Sequence, residues 1–82
     1  MKNIEILKNK AILHLNRNFY TKKAVLVAMQ VFTDDCWMNI ESLDEAFVVH
    51  IQPKELKADI EKLGYEFFNL TLGIMHDTSK DL

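Results

Sequence analysis

Residues 53–76 read PKELKADIEKLGYEFFNLTLGIMH, and this stretch decides the fold. Its apolar residues recur in alternating steps of four and three, at Leu56, Ile60, Leu63, Phe67, Leu70 and Ile74. At about 100° per residue these positions form one narrow stripe, which is typical of an amphipathic helix. Because Pro53 suits the start of a helix, we expect the helix to run from Lys54 to Asp77, with Leu56 to Leu63 docked on the chain's own sheet.

The second half of this predicted helix is apolar around much of its circumference. The additional apolar residues there are Tyr65, Phe68, Leu72 and Met75. A helix of this length spans about 36 Å, whereas a strand of about six residues spans only some 20 Å. We therefore expect the second half to extend beyond the sheet and to contact a second copy or another protein. A helix break at Gly64 or Gly73, which would fold the end back onto the domain, is the alternative.

The rest of the chain alternates between strand and helix patterns. Alternating apolar residues predict strands over 11–16, 36–41 and 46–52. A helix is predicted from the N-cap residue Thr21 to about Thr33. Its face toward the sheet would carry Tyr20, Ala24, Val27, Ala28 and Val31, with Val25 and Phe32 beside it.

The resulting order is β-α-β-β-α, and it predicts an α+β fold. We expect a small, mostly antiparallel sheet of three strands with two helices on one face. Ile4 and Ile6 also alternate with polar residues, which leaves a fourth strand at the N-terminus open. The whole chain, residues 1–82, is expected to be a single domain.

Composition excludes several classes of partner. The formal net charge is −2, which argues against the concentrated basic surface of a nucleic-acid-binding protein. No apolar run approaches the roughly 20 residues that span a bilayer, so we expect no membrane partner. The single Cys36 is unable to form an intrachain disulfide, which indicates a cytoplasmic protein.

The sheet face that points away from the helices is predicted to be a partner surface. Strand alternation places Trp37, His14, His50 and Val48 on it, with less charge than a solvated face usually shows. An exposed Trp is a common anchor of protein interfaces, so Trp37 is its leading candidate. In the alternative, residues 4–7 lie over Trp37 and cover it.

A second predicted partner surface lies on the helices. Leu26 and Met29 fall on the side of the first helix that turns away from its predicted sheet-facing stripe. We expect them to join Tyr65, Phe68, Leu72 and Met75 in a surface for self-association, most simply as a dimer.

The sequence contains no recognisable catalytic or cofactor-binding motif. Both glycines lie within the predicted last helix, so no phosphate-binding loop is present. The spacings of His14, His50, His76 and Cys36 match no compact metal site. Alternation also directs Cys36 away from His14 and His50, so a Cys–His nucleophile pair is disfavoured. We expect a protein that is not an enzyme and binds neither metal nor cofactor.

Three segments between Phe19 and about Leu72 carry a family resemblance. They are Tyr20-Thr21-Lys22-Lys23-Ala24-Val25 at the start of the first helix, Phe32-Thr33-Asp34-Asp35-Cys36-Trp37 at the passage into a strand, and Glu66-Phe67-Phe68-Asn69. In these segments the chain resembles the HxsD family of His-Xaa-Ser systems, small proteins that accompany radical-SAM peptide-modifying enzymes. The segment 70–74 departs from the family's pattern. The resemblance implies a prokaryotic accessory protein of peptide maturation with no cofactor of its own.

These observations predict a small α+β module that binds proteins or peptides. Its partner would be a precursor peptide or the maturase enzyme, bound as an added strand at a sheet edge or on the Trp37 face. The alternative is a homodimeric structural or ligand-sensing module without a peptide partner. A pocket lined by polar groups would favour sensing, whereas a flat apolar face would favour protein recognition.

Overall fold

The computed structural model describes residues 3–80, with the side chains of residues 3–76. The elements in chain order are β1 (Ile4–Ile6), β2 (Ala11–Asn16), α1 (Lys22–Phe32), β3 (Cys36–Ser42), β4 (Ala46–Pro53) and α2 (Ile60–Lys80). The fold is α+β, as the sequence predicted, and the N-terminal residues add the fourth strand that the sequence left open.

The four strands form one antiparallel sheet in the order β1-β2-β4-β3. β4 lies inside the sheet, where Val49 pairs with Leu13 of β2 on one side and with Ile40 of β3 on the other. β1 and β3 are therefore the two edges. Trp37 on β3 lies at the edge opposite to β1, so the alternative in which residues 4–7 cover Trp37 is wrong.

One face of the sheet is covered by both helices. α1 contacts β3, α2 contacts β1, β2 and β4, and the two helices pack against each other. The apolar residues of β2, β3 and β4 that face the helices are buried or half-buried. The core cluster consists of Ala11, Leu13, Leu15, Val25, Ala28, Cys36, Phe47, Val49, Ile51 and Phe67. We call the uncovered side of the sheet the open face.

α1 begins as predicted but presents a different face to the core. The Thr21 hydroxyl accepts a hydrogen bond from the backbone N–H of Ala24 at 3.2 Å, which caps the helix. Val27 and Val31 were expected to face the sheet, yet both are exposed, Val31 by 58%. Ala24 and Ala28 are buried as predicted, and Val25 is buried beside them, so the core-facing side is shifted toward Val25.

An aromatic contact explains this rotation of α1. The ring of Phe32 meets Phe67 of α2 nearly edge-on, with centroids 5.6 Å apart. Val25 and Phe32 are two helical turns apart and therefore lie on the same side of α1. When both are buried, this side faces the core and Val31 is left outside it. The large aromatic ring thus decides which side of α1 is buried.

α2 begins later than the sequence predicted. The Asp59 side chain accepts a hydrogen bond from the backbone N–H of Lys62 at 3.1 Å and so caps the helix. α2 therefore starts after Asp59 and not after Pro53. Pro53 is the last residue of β4, two residues beyond the Ile51–Ala11 pair that ends the β2 ladder. Its missing N–H therefore leaves no gap in that ladder.

The late start of α2 corrects the expected docking of its first turns. Leu56 lies in the turn between β4 and α2 and is fully exposed, so it does not pack on the sheet. Packing begins at Ile60 and Leu63 and continues through the buried Phe67. α2 runs without interruption to Lys80, so neither glycine breaks it.

Thr71 is the buried polar residue in the centre of α2. It has no exposed surface, and its hydroxyl donates to the Phe67 carbonyl one turn earlier at 2.8 Å. This bond satisfies the hydroxyl within the helix, so a polar side chain can be buried without a partner from another element.

We predict that Gly73→Ala raises the free energy of unfolding by about 1 kcal/mol, because Gly is disfavoured inside a helix. A Cβ at Gly73 meets nothing within 4 Å, and the residue does not have a positive φ. Thermal unfolding should shift upward by about 4–8 °C. Gly64→Ala is the matched variant, since its Cβ would sit 3.4 Å from Ile4 Cδ1 in ordinary contact. A loss of stability in Gly73→Ala would contradict a continuous α2.

Candidate interaction surfaces

The four residues predicted on the open face do lie there, with different exposures. Trp37 is 62% exposed, His14 is exposed and His50 is half-buried. Val48 is only 6% exposed because it lies in the central strand between His14 and Glu41 of the neighbouring strands. Val48 therefore offers little surface to a partner.

Two contacts hold side chains in place on the open face. His50 Nε2 lies 2.9 Å from Glu41 Oε1, which joins β4 to β3. The Lys54 ammonium lies 4.6 Å from the centre of the Trp37 ring and also donates to the Thr33 carbonyl at 3.3 Å. Trp37 is thus positioned by a cation over its ring while remaining exposed.

The helical residues predicted to meet a partner form a separate surface on the other side of the sheet. Tyr65, Leu72 and Leu26 are exposed, Tyr65 by 57%. Phe68, Met29 and Met75 are half-buried. Phe68 packs on Tyr20 with ring centroids 6.1 Å apart, and Met29 packs against the core. The structure brings Tyr65 and Phe68 together, but not with Trp37.

A cleft runs along the β1 edge, between this strand and α2. Its volume is about 880 Å³, and it opens to solvent along the edge of the sheet. Three aromatic side chains line its helix side, and two acidic side chains and one histidine line it as well. The lining residues are Asn3, Ile4, Glu5, Ile6, His14, Tyr20, Glu61, Tyr65 and Phe68.

The backbone of β1 presents hydrogen-bonding groups to this cleft. His14 N–H donates to the Asn3 carbonyl, and Leu7 N–H donates to the Lys10 carbonyl, both at 2.8 Å. In an antiparallel ladder, residues that bond to the neighbouring strand alternate with residues whose N–H and C=O point away from it. The N–H and C=O groups of Ile4 and Ile6 therefore point to the free edge, toward the cleft.

A second cleft of about 370 Å³ lies where β3 begins and β4 ends. It is lined by Asp34, Asp35, Cys36, Pro53, Lys54, Glu55, Ala58 and Leu63. Burial raises the pKa of the Cys36 thiol, and the negative charge of Asp35 raises it further, while Lys54 acts in the opposite direction. A thiol with a raised pKa is protonated near neutral pH and is a poor nucleophile.

The described residues bring together no group of three or more His, Cys, Asp or Glu side chains that could hold a metal ion. His14 and His50 share the open face, whereas Cys36 points into the core on the opposite side. The structure thus keeps Cys36 apart from both histidines.

Neither helix of the described residues combines the length and the hydrophobicity that a membrane span requires.

The sequence did not reveal the cleft along β1. Its walls come from four segments: the N-terminal strand, His14 of β2, Tyr20 before α1, and the face of α2 that carries Tyr65 and Phe68. The alternation of Ile4 and Ile6 was the available signal, since it indicated an edge strand. Placing that strand beside α2 required the order of the strands in the sheet.

Comparison of the chain with protein-family models, with curated proteins and with solved structures gave no significant match.

We predict that Trp37→Ala lowers the free energy of unfolding by about 1 kcal/mol or less. The ring is mostly exposed, and its contact with Lys54 is of the kind that contributes about 0.5–1 kcal/mol. Phe67→Ala should cost about 3–5 kcal/mol, because Phe67 is fully buried. Urea unfolding of both variants checks this. Comparable losses in the two would show that Trp37 belongs to the core.

We predict that Cys36 reacts with an aromatic disulfide reagent at pH 8 more slowly than free cysteine, because the side chain is buried and its raised pKa leaves less thiolate. Denaturation in urea should abolish the difference.

The raised pKa also makes the folded state retain a proton that the unfolded chain loses. This contribution to stability is complete below the unfolded pKa and is lost as pH rises through the folded pKa, so the free energy of unfolding should fall in alkaline solution.

Proposed function

We propose that this protein is a peptide-binding module that receives an extended peptide as an added strand along β1. The observation that carries this proposal is the cleft between the β1 edge and α2, with backbone groups on one side and aromatic side chains on the other. Strand addition uses these two elements: main-chain hydrogen bonds supply affinity, and pockets for alternate side chains supply specificity.

The cleft also indicates the chemistry of the peptide. A strand added to β1 places alternate side chains on opposite faces of the sheet. Those beside Ile4 and Ile6 would contact Tyr65 and Phe68, so apolar residues fit there. The side chain beside Glu5 would lie on the open face, close to an acidic group. The described lining includes no Lys or Arg, so we propose an apolar–basic–apolar core sequence.

The resemblance to the HxsD family supports a particular source for such a peptide. A precursor peptide awaiting modification by a radical-SAM maturase would enter the cleft as an unstructured segment and become ordered on binding. The protein would then act as a non-catalytic accessory that presents the peptide. We propose that it does so in the cytoplasm, with which a single free cysteine agrees.

The test is an NMR titration with a short capped peptide whose central sequence is Val-Lys-Val. We expect the amide signals of Ile4 and Ile6 to shift as the peptide adds, and a Val-Glu-Val peptide to bind more weakly because its central carboxylate would lie beside Glu5. Signals that move only around Trp37 would reject β1 as the site. The absence of any shift with either peptide at millimolar concentration would reject the proposal.

We predict that Ile6→Pro weakens binding of the Val-Lys-Val peptide at least about fivefold, since one hydrogen bond contributes about 1 kcal/mol. Proline removes the N–H that points to the cleft and leaves the bonds between β1 and β2 in place. Ile6→Thr is the matched control, because it retains this N–H. Equal affinity of both variants, measured by the same titration, would contradict strand addition.

A further inference from the structure

The opposite edge of the sheet is β3, which is longer than β1 and also has outward-pointing backbone N–H and C=O groups. Leu43 N–H donates to the Ala46 carbonyl, and Lys54 N–H donates to the Asp35 carbonyl, both at 2.9 Å. These bonds fix the alternation of the β3–β4 ladder, in which odd-numbered β3 residues bond to β4. The N–H and C=O groups of Cys36, Met38, Ile40 and Ser42 therefore point away from the sheet.

β3 has few of the features by which proteins protect an edge strand. Its seven residues, CWMNIES, include one charged side chain, Glu41, but no Pro, Gly or Lys, and they pair with β4 continuously without a bulge. Native edges are usually short, charged, bulged or interrupted by Pro. β1 fits this rule because it has only three residues, whereas β3 does not. Such an edge is suited to pairing with another strand.

We propose that β3 pairs antiparallel with β3 of a second copy of this chain, which joins the two sheets across a two-fold axis at Asn39. Outward-pointing residues must oppose each other, so even-numbered residues pair with even-numbered ones. The register that opposes Met38 to the partner subunit's Ile40 meets this condition. It also pairs all seven residues of β3, since Cys36 then opposes the partner subunit's Ser42. This interface goes beyond the proposed peptide site and uses the other edge.

The side chains are complementary in this register. On the helix side, the half-buried Met38 meets the partner subunit's Ile40, and both lose further contact with water. On the open face, Trp37 opposes the partner subunit's Glu41. Because Lys54 lies over the Trp37 ring, its ammonium is brought toward that carboxylate.

Neighbouring registers are less favourable. A shift of two residues in one direction opposes Asp35 to the partner subunit's Glu41, which places like charges together. The same shift in the other direction shortens the paired segment to residues 38–42. The register centred on Asn39 thus combines the longest ladder with opposite charges.

The first test compares Met38→Pro with Met38→Leu by sedimentation velocity over a range of concentrations. We expect the wild type and Met38→Leu to sediment as dimers at high micromolar concentration. Met38→Pro should sediment as a monomer, because it lacks an outward N–H while its bonds to β4 remain. Far-UV circular dichroism establishes that both variants fold. A wild-type protein that is monomeric at this concentration would overturn the proposal.

The second test is specific for the register. Asn39 would lie opposite the partner subunit's Asn39 in a non-hydrogen-bonded pair, with Cα atoms about 4.5 Å apart, a distance that a disulfide can bridge. We expect Asn39→Cys to give a covalent dimer under mild oxidation. Gln52→Cys, an exposed residue of the open face on the central strand β4, should not. A dimer that forms but does not cross-link at Asn39, or that persists in Met38→Pro, would place the interface elsewhere and reject β3 pairing.

Discussion

The pairing of β4 with strands on both sides is the constraint on which the rest of the structure depends. Because the side chains of a strand alternate, one register with β2 and one with β3 assign every residue of the three strands to a face. A slip of one residue would turn Val49 and Ile51 to the open face and Val48 and His50 to the core. The helices then have one apolar face to cover, and Phe67 and Phe32 meet over it.

The same arrangement produces two edges of different character. β1 is short and borders the cleft against α2, so a strand added there would contact side chains of the helix layer as well as the β1 backbone. β3 is long and regular, and its recognition capacity lies mainly in its own ladder. Under our two proposals, the first edge would take a peptide with suitable side chains, and the second would take a strand of matching length and alternation.

The strands were predictable from the sequence because their alternation depends on neighbours in the chain. The helix boundaries and faces were less so. Pro53 and Asp59 are both plausible helix starts, and the choice between them required knowing that Pro53 continues the β4 ladder. The buried side of α1 depends on Phe32 meeting Phe67, a contact between residues that are 35 positions apart.

The candidate surfaces were likewise predictable only where neighbouring residues in the sequence determine them. Alternation alone placed Trp37 on the face away from the helices but left open whether the N-terminal residues cover it, and the structure leaves it exposed. The cation over its ring was not predicted, because Lys54 reaches Trp37 only after β4 has returned alongside β3. The cleft along β1 was also missed, since four separate segments form it.

The two proposed interfaces are compatible because they occupy opposite edges of one sheet. In a dimer joined through β3, the two β1 strands would form the outer ends of a continuous sheet, each with its own cleft. The two-fold axis at Asn39 would make these clefts equivalent and place them far apart. A ligand that carries two copies of the recognised sequence, joined by a linker long enough to span the sheet, would then gain avidity without any new contact. Self-association through β3 would in this way strengthen recognition at β1 while leaving the chemistry of each cleft unchanged.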